Sequence, residues 1–224
     1  MPPLAGQSLT MRRGLRVLRL LANHPDGLTV SELADELVTH RAGIYRLLGP
    51  LAEERLVVRG GGGRHLLGLG LLELASAVRP RLQEVAARTL RPLADELRAT
   101  TALTIRDGAD AVVAFVAEPS GTAMHIAYRP GLRHSIELAA PGLAILSAGA
   151  PQPDERPEVQ VTRERGWSLT SGEILPGATG VAAPIAVPGH PTEACISAVW
   201  VDDRDPVPYG EAVVRAARAI AAGL

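Results

Sequence analysis

The chain has 224 residues, 46% hydrophobic and 21% charged, the proportions of a folded protein rather than a disordered one and a length that suits two domains better than one. All 23 of its Lys and Arg positions are arginine, which excludes a phosphate-loop lysine, a Schiff-base lysine and a Ser-x-x-Lys nucleophile together. The net charge of −1 hides a division: residues 1–80 hold ten arginines against seven acids and residues 81–224 thirteen against seventeen, so the N-terminal part suits an anionic partner.

The first seven residues lack the basic and then apolar pattern of a secretory signal, and a cytoplasmic location is expected. Leu15, Leu18 and Ala22, flanked by Val17 and Leu21, predict an amphipathic helix over about residues 10–22, with Arg12, Arg13, Arg16 and Arg19 on its remaining surface. Asn23-His24-Pro25-Asp26-Gly27 stops it. Thr29 stands three residues before Glu32, the spacing of a capping box, and Leu33, Ala34 and Leu37 give the second helix its buried face. Thr39 is placed to cap a third helix with the core stripe Ile44, Leu47, Leu48 and Leu51.

Two short helices joined by so tight a turn predict a helix-turn-helix, with Arg41, Ala42, Tyr45, Arg46 and Gly49 on the outward face of the third helix. Small residues there let a backbone approach a groove, and arginines reach phosphates or guanine edges. Leu56 to Arg59, four glycines and Arg64 to Leu67 then read as strand, turn and strand. Such a wing would put Arg59, Arg64 and His65 beside the neighbouring nucleic-acid backbone. Thr39 completes the candidate DNA-contacting set.

The runs Gly14-Leu15-Arg16-Val17-Leu18, Leu28 to Ala34, Ile44-Tyr45-Arg46-Leu47-Leu48 and His65-Leu66-Leu67-Gly68-Leu69-Gly70 resemble the IclR family of bacterial transcriptional regulators. Tyr-Arg-Leu-Leu in the third helix and the Leu-Gly after the wing are the most specific marks. The pattern is broken at Ala42 and Gly43, where relatives carry Ser or Thr, at Arg55, where a glycine usually closes the helix, and at Pro50 within it. The resemblance implies an α+β protein: a winged helix-turn-helix over residues 1–75, a helical linker over 76–99 and a GAF-like effector-binding domain over 100–224.

Residues 70–100 read as helix with a break near Pro80, the apolar stripe being Leu82, Val85, Ala86, Leu90, Leu93 and Leu97. Leu103 to Arg106, the Asp107-Gly108 turn and Val112 to Val116 predict a hairpin, and Met124 to Tyr128 a third strand. Val181–Val187 and Ala194–Val201 predict two more strands; Gly142–Ala148 and Tyr209–Ala222 predict helices. Between Ser147 and Gly166 the chain is shorter than in relatives, which implies a truncated helix there.

The resemblance also implies a ligand pocket. It would be lined by the loop Ala140-Pro141-Gly142, by Thr170 at a position acidic in relatives, by Gly180 at a cysteine position, and by Ser197 and Val199 at two serine positions. The loop would offer N–H groups to an acidic ligand, but Pro141 has none. A pocket so stripped of hydrogen-bonding groups suits a bulkier or more apolar effector than a small keto acid.

Enzymatic readings find little support. His24, His40, His65, His125, His134 and His190 show no metal-ligand spacing, no Gly-x-Ser-x-Gly elbow occurs, and Asp202, Asp203 and Asp205 read as a solvated turn. His125 and His134 are weak candidates for the pocket wall. Cys195 lies in an apolar strand pattern, reads as a core thiol and, being single, excludes an internal disulfide. The longest uncharged run, Ile174–Thr192, contains four prolines, so no membrane span is expected. The chain therefore reads as a cofactor-free regulator, partnered by operator DNA, a small-molecule effector and further copies of itself as a dimer or tetramer. The alternative is a ligand-binding or protein-interaction module that has lost sequence-specific DNA binding.

Overall fold

The computed structural model describes residues 8–121, 126 and 128–224. The chain divides into two compact units, residues 1–78 and 79–224.

In the first unit Ser8 caps α1 (Leu9–Ala22) by accepting from the Met11 N–H. Gly14, Val17 and Leu21 enter the core, whereas Leu15 is 55% exposed and Ala22 is exposed. The inward face is thus displaced from the stripe read in the sequence. Helix α1 is apolar on two adjacent faces, and periodicity does not say which one packs. After β1 (Leu28–Thr29), the predicted capping box forms at the start of α2 (Val30–Glu36): Thr29 N–H donates to Glu32 Oε2 at 2.7 Å and Glu32 N–H to Thr29 Oγ1 at 3.2 Å.

Helix α3 (Arg41–Glu53) buries Ile44, Leu47 and Leu48 against Val17, Leu21 and Leu33. Its N-cap is His40, without a side-chain cap, and not Thr39. The Thr39 N–H instead closes on the Ala34 carbonyl at 2.9 Å, finishing the turn after α2. Pro50 lies on the exposed side, and the helix runs past it to Glu53. Strands β2 (Val57–Arg59) and β3 (Arg64–Leu67) make the wing, and β1 pairs with β3 to give the order β1-β3-β2.

The Leu-Gly-Leu-Gly after the wing has a steric cause. Gly68 and Gly70 run against the end of α3, donating N–H bonds to the Leu56 and Arg55 carbonyls at 2.8 and 2.9 Å. A Cβ at Gly68 would lie 2.2 Å from the Arg55 carbonyl oxygen, and one at Gly70 2.7 Å from that of Glu54. Helix α4 (Gly70–Ser76) follows.

The second unit opens with α5 (Pro80–Leu97), and Arg79, at φ +44°, makes the break expected near Pro80. Its sheet runs β6-β5-β4-β9-β8-β7, all pairs antiparallel, from β4 (Thr100–Asp107), β5 (Asp110–Ala117), β6 (Arg133–Ser135), β7 (Ser168–Ser171), β8 (Thr179–Pro184) and β9 (Ala194–Trp200). The predicted hairpin is β4–β5. The predicted strand over Val181–Val187 starts earlier and ends at Pro184, and β6 and β7 had no counterpart in the sequence reading. The strand expected over Met124–Tyr128 lies mostly outside the described residues.

Helix α5, read in the sequence as a linker, packs with α8 (Pro206–Ala222) on one face of this sheet. Leu90, Leu93, Val181, Ile196, Trp200, Val213 and Ile220 form the core between them. On the other face lies α6 (Ala139–Ser147), its Ala140, Ala144 and Ile145 buried against Ala111, Ala182 and Cys195. Helix α7 (Pro157–Arg165) packs on α6; it occupies the region where truncation was inferred and has nine residues.

The close approach of Gly68 gives a direct test. Gly68→Ala must push the backbone of Arg55 aside and is expected to cost about 1–3 kcal/mol. Gly49→Ala, on the open face of α3 with nothing within 4 Å of the new methyl, should gain about 0.5–1 kcal/mol from helix propensity. Urea denaturation of both variants checks the opposite signs.

Candidate nucleic-acid interface and ligand cleft

Because α3 turns Ile44, Leu47 and Leu48 inward, its opposite face is fixed by the helical period: Arg41, Ala42, Tyr45, Arg46 and Gly49 are all exposed. Tyr45 is 63% exposed, unusual for so large a ring unless something covers it. The face therefore offers two guanidinium groups, one aromatic and two residues small enough to let a groove wall come close.

The wing is less open than its sequence implies. Arg59 is exposed. Arg64 instead turns back into its own unit, donating to the Gly27 carbonyl at 2.8 Å and pairing with Glu32 at 3.3 Å. Its charge is spent on tying the wing to the capping box. His65 Nδ1 is buried without a hydrogen-bond partner, and desolvation, helped by the neighbouring Arg59 charge, pushes its pKa below the ordinary histidine value. Both effects favour the neutral imidazole over the charged one. Of the three wing residues singled out in the sequence, the outer surface keeps Arg59. Thr39, half-buried, lies at the N-terminal end of α3 just before the His40 cap, its Oγ1 beside Gly43.

In the second unit the alternation of β9 sets the ligand cleft. Ser197 and Val199 face α6, across from Gly180 on β8 and Thr170 on β7, because cross-strand partners share a face. Residues 140–142 are not a loop before the helix but lie in its first turns. Ala139 begins that helix at φ +61°, and Glu173 accepts its N–H at 2.7 Å. Thr170 Oγ1 accepts the Ala140 N–H at 3.0 Å, and Ser168 Oγ donates to the Ala140 carbonyl at 2.7 Å. Cys195 Sγ donates to the Pro141 carbonyl at 3.4 Å; burial pushes that thiol's pKa far up, so it is an inert core group.

The cleft between this turn and the sheet holds about 370 Å³ of empty space, its open mouth included. Ala140, Pro141, Thr170, Gly180, Ser197 and Val199 all line it. Gly142 does not: it is packed so closely on Ile136 that a Cβ would meet the Ile136 carbonyl oxygen at 2.1 Å. The site also contains residues that the sequence does not place there, among them Tyr128, Glu173, Ile174, Leu175 and Ala178. A signal for Glu173 is present in the sequence, since Gly172-Glu173, Gly177 and Val181-Ala182-Ala183-Pro184 resemble a further run of the IclR family; Tyr128 has none. Its phenol pKa is raised by burial. His134 bonds through Nδ1 to the Ser135 carbonyl at 2.9 Å and does not line the cleft, and His125 lies outside the described residues.

Arg156 grips Glu173 through its two terminal guanidinium nitrogens, at 2.9 and 3.2 Å, and also donates to the Glu137 carbonyl. The Arg156 side chain holds the Glu173 carboxyl below the ordinary glutamate value, with the Ala139 N–H adding to the effect. Among the described residues no group of His, Cys, Asp and Glu is arranged to hold a metal, and no helix is long and apolar enough to cross a membrane.

The model of the IclR helix-turn-helix domain matches residues 10–61. The chain is 30% identical over 154 residues to the HTH-type transcriptional regulator Rv1719 of Mycobacterium tuberculosis, covering 68% of this chain and 59% of that one. It is 27% identical over 152 residues to the regulator TtgV of Pseudomonas putida, covering 67% and 57%. The chain thus spans under three fifths of the length of these relatives. The fold matches an IclR homologue from Microbacterium hydrocarbonoxydans, solved as a complex with 4-hydroxybenzoate, with a TM-score of 0.82 and 22% identity over 96% of this chain and 98% of that one.

The shared use of Glu32 by Thr29 and Arg64 makes a pH prediction. Hydrogen bonds from Thr29, chiefly its backbone N–H, lower the Glu32 pKa in the folded chain, and Arg64 adds to this. A depressed carboxylate contributes stability that is present above its unfolded value, near 4.5, and lost as pH falls through the folded value. Glu32→Gln should therefore lower the urea midpoint at pH 7, and its gap to the wild type should close below pH 4. A gap equal at both pH values contradicts this.

Proposed function

The chain belongs to the IclR helix-turn-helix family, and from that premise we propose that it is a transcriptional regulator whose affinity for operator DNA is set by a small organic effector in the cleft under α6. The observation that carries the DNA half is the exposed row Arg41, Tyr45 and Arg46 on a helix whose other side is locked in a core. In this reading residues 1–75 contact duplex DNA, residues 100–224 hold the effector and residues 76–99 join them. Arg41 and Arg46 reach phosphates or guanine edges, and Tyr45 packs against sugar or base edges. Arg59 reaches the flanking backbone, while Arg64 and His65 support the wing from within.

One recognition helix covers a half-site, so two copies are needed to read a full operator. A surface for the second copy is on hand: Met11, Leu15, Leu69, Leu72, Leu74 and Val78 are each more than half exposed, a concentration of apolar surface on α1 and around α4 that a monomer has little use for. Leu15, which the sequence pattern assigned to the core, is among these exposed residues. The effector half of the proposal is supported by the cleft and by the ligand-bound Microbacterium relative. Effector binding would act by favouring one arrangement of the two recognition helices over another. The inward turn of Arg64 and His65 favours a second reading, a ligand-binding or interaction module without DNA binding, which predicts no selected sequence at all.

Selection from random duplexes with the full chain, followed by anisotropy titration, tests the proposal. Arg46→Ala should weaken binding to the selected duplex by about 1–3 kcal/mol while leaving the melting temperature unchanged. A fall in melting temperature instead makes Arg46 a structural residue. Leu15→Glu should convert dimer to monomer in sedimentation equilibrium with α1 still folded.

A further inference from the structure

The polar side chains of the cleft that are left without partners are of one kind, and that restricts what it can bind. The first three residues of α6 offer a ligand no N–H: that of Ala139 is held by Glu173, that of Ala140 by Thr170, and Pro141 has none. A helix N-terminus ordinarily attracts an anion through such donors and the partial positive charge behind them. Here an internal carboxylate already sits there, and it is neutralised by Arg156, whose guanidinium is in turn spent on Glu173, Glu158 and the Glu137 carbonyl.

What remains facing the space are hydroxyls. Ser197 is 7% exposed, lines the cleft and makes no side-chain hydrogen bond among the described residues. The Tyr128 hydroxyl is likewise without a partner among them, and the Thr170 oxygen accepts from Ala140 but its proton has no acceptor. Apart from the paired Glu173, the rest of the lining is glycine or apolar, with Pro141, Ile174, Leu175, Ala178 and Val199 as its larger members.

Resting on the reading of this cleft as the effector site, we infer that the effector is an uncharged, largely apolar molecule that presents a hydroxyl or carbonyl to Ser197, and that Glu173 is the residue that excludes carboxylates. A carboxylate entering the cleft would lose its water without gaining a donor, because Glu173 already occupies the Ala139 N–H and the Arg156 guanidinium. A cation would find the one nearby carboxylate already paired. A single-ring ligand makes room by displacing Ile174 and Leu175 on the outer loop, Leu175 being 43% exposed, and leaves the α6 turn in place.

The test uses a matched pair, 4-hydroxybenzyl alcohol and 4-hydroxybenzoate, titrated calorimetrically into the full-length wild type, Glu173→Gln and Glu173→Ala, with thermal melts to confirm that each variant folds. Wild type should bind the alcohol at least about tenfold more tightly than the carboxylate, and both variants should shrink or invert that ratio. Gly180→Leu, which fills the cleft, should abolish binding and so locate it. Equal affinities in the wild type, or a preference that survives both variants unchanged, overturns the assignment to Glu173 while leaving the effector site standing. If neither this pair nor cyclohexyl and naphthyl alcohol–carboxylate pairs bind any folded form, the effector reading itself fails, and this inference with it.

Discussion

The first turn of α6 is the constraint on which the second unit depends. Its polar atoms are held from the sheet and from the loop beyond it: Glu173 and Thr170 accept from Ala139 and Ala140, and Ser168 and Cys195 donate to the carbonyls of Ala140 and Pro141. Leaving any of these buried groups unpaired would cost about 1–3 kcal/mol, so the turn cannot drift relative to β7 and β9 without breaking several bonds together. The positive φ of Ala139 is tolerated because the same contacts over-determine it. The cleft is the gap left between this fixed turn and the sheet.

The first unit has a smaller version of the same economy. Glu32 closes the capping box of α2 and also receives Arg64 from the wing, so one carboxylate joins helix, turn and strand. The pair is partly exposed, and its value lies more in fixing the wing's position than in net stability. With the wing anchored from the inside, its own outward charge is left to Arg59.

Much of this was legible in the sequence, and the reasons for the rest are particular. The capping box was visible because it is a local hydrogen-bonding pattern with a fixed spacing. The inward stripe of α3 was visible because Ile44, Leu47 and Leu48 have polar or small neighbours on every other side. Helix α1 misled because it carries two apolar rows and the row containing Leu15 faces outward. Arg64 and His65 misled because an exposed turn and an anchored one have the same residues; only the partner across space, Glu32, distinguishes them. For the cleft, strand alternation put Thr170, Gly180, Ser197 and Val199 together, as the resemblance implied. The fate of the α6 N–H groups depends on a contact with Glu173 thirty-four positions away, which no local pattern carries.

The central claim is that two copies of α3 read successive grooves of a duplex, and hydroxyl-radical footprinting of the full chain on a selected duplex tests it most directly. The account predicts two protected patches on one face of the DNA, centred one helical turn of about 10–10.5 base pairs apart or a multiple of it, both lost together in Arg46→Ala. Uniform protection at saturating protein, or a pattern that Arg46→Ala leaves intact, would contradict it.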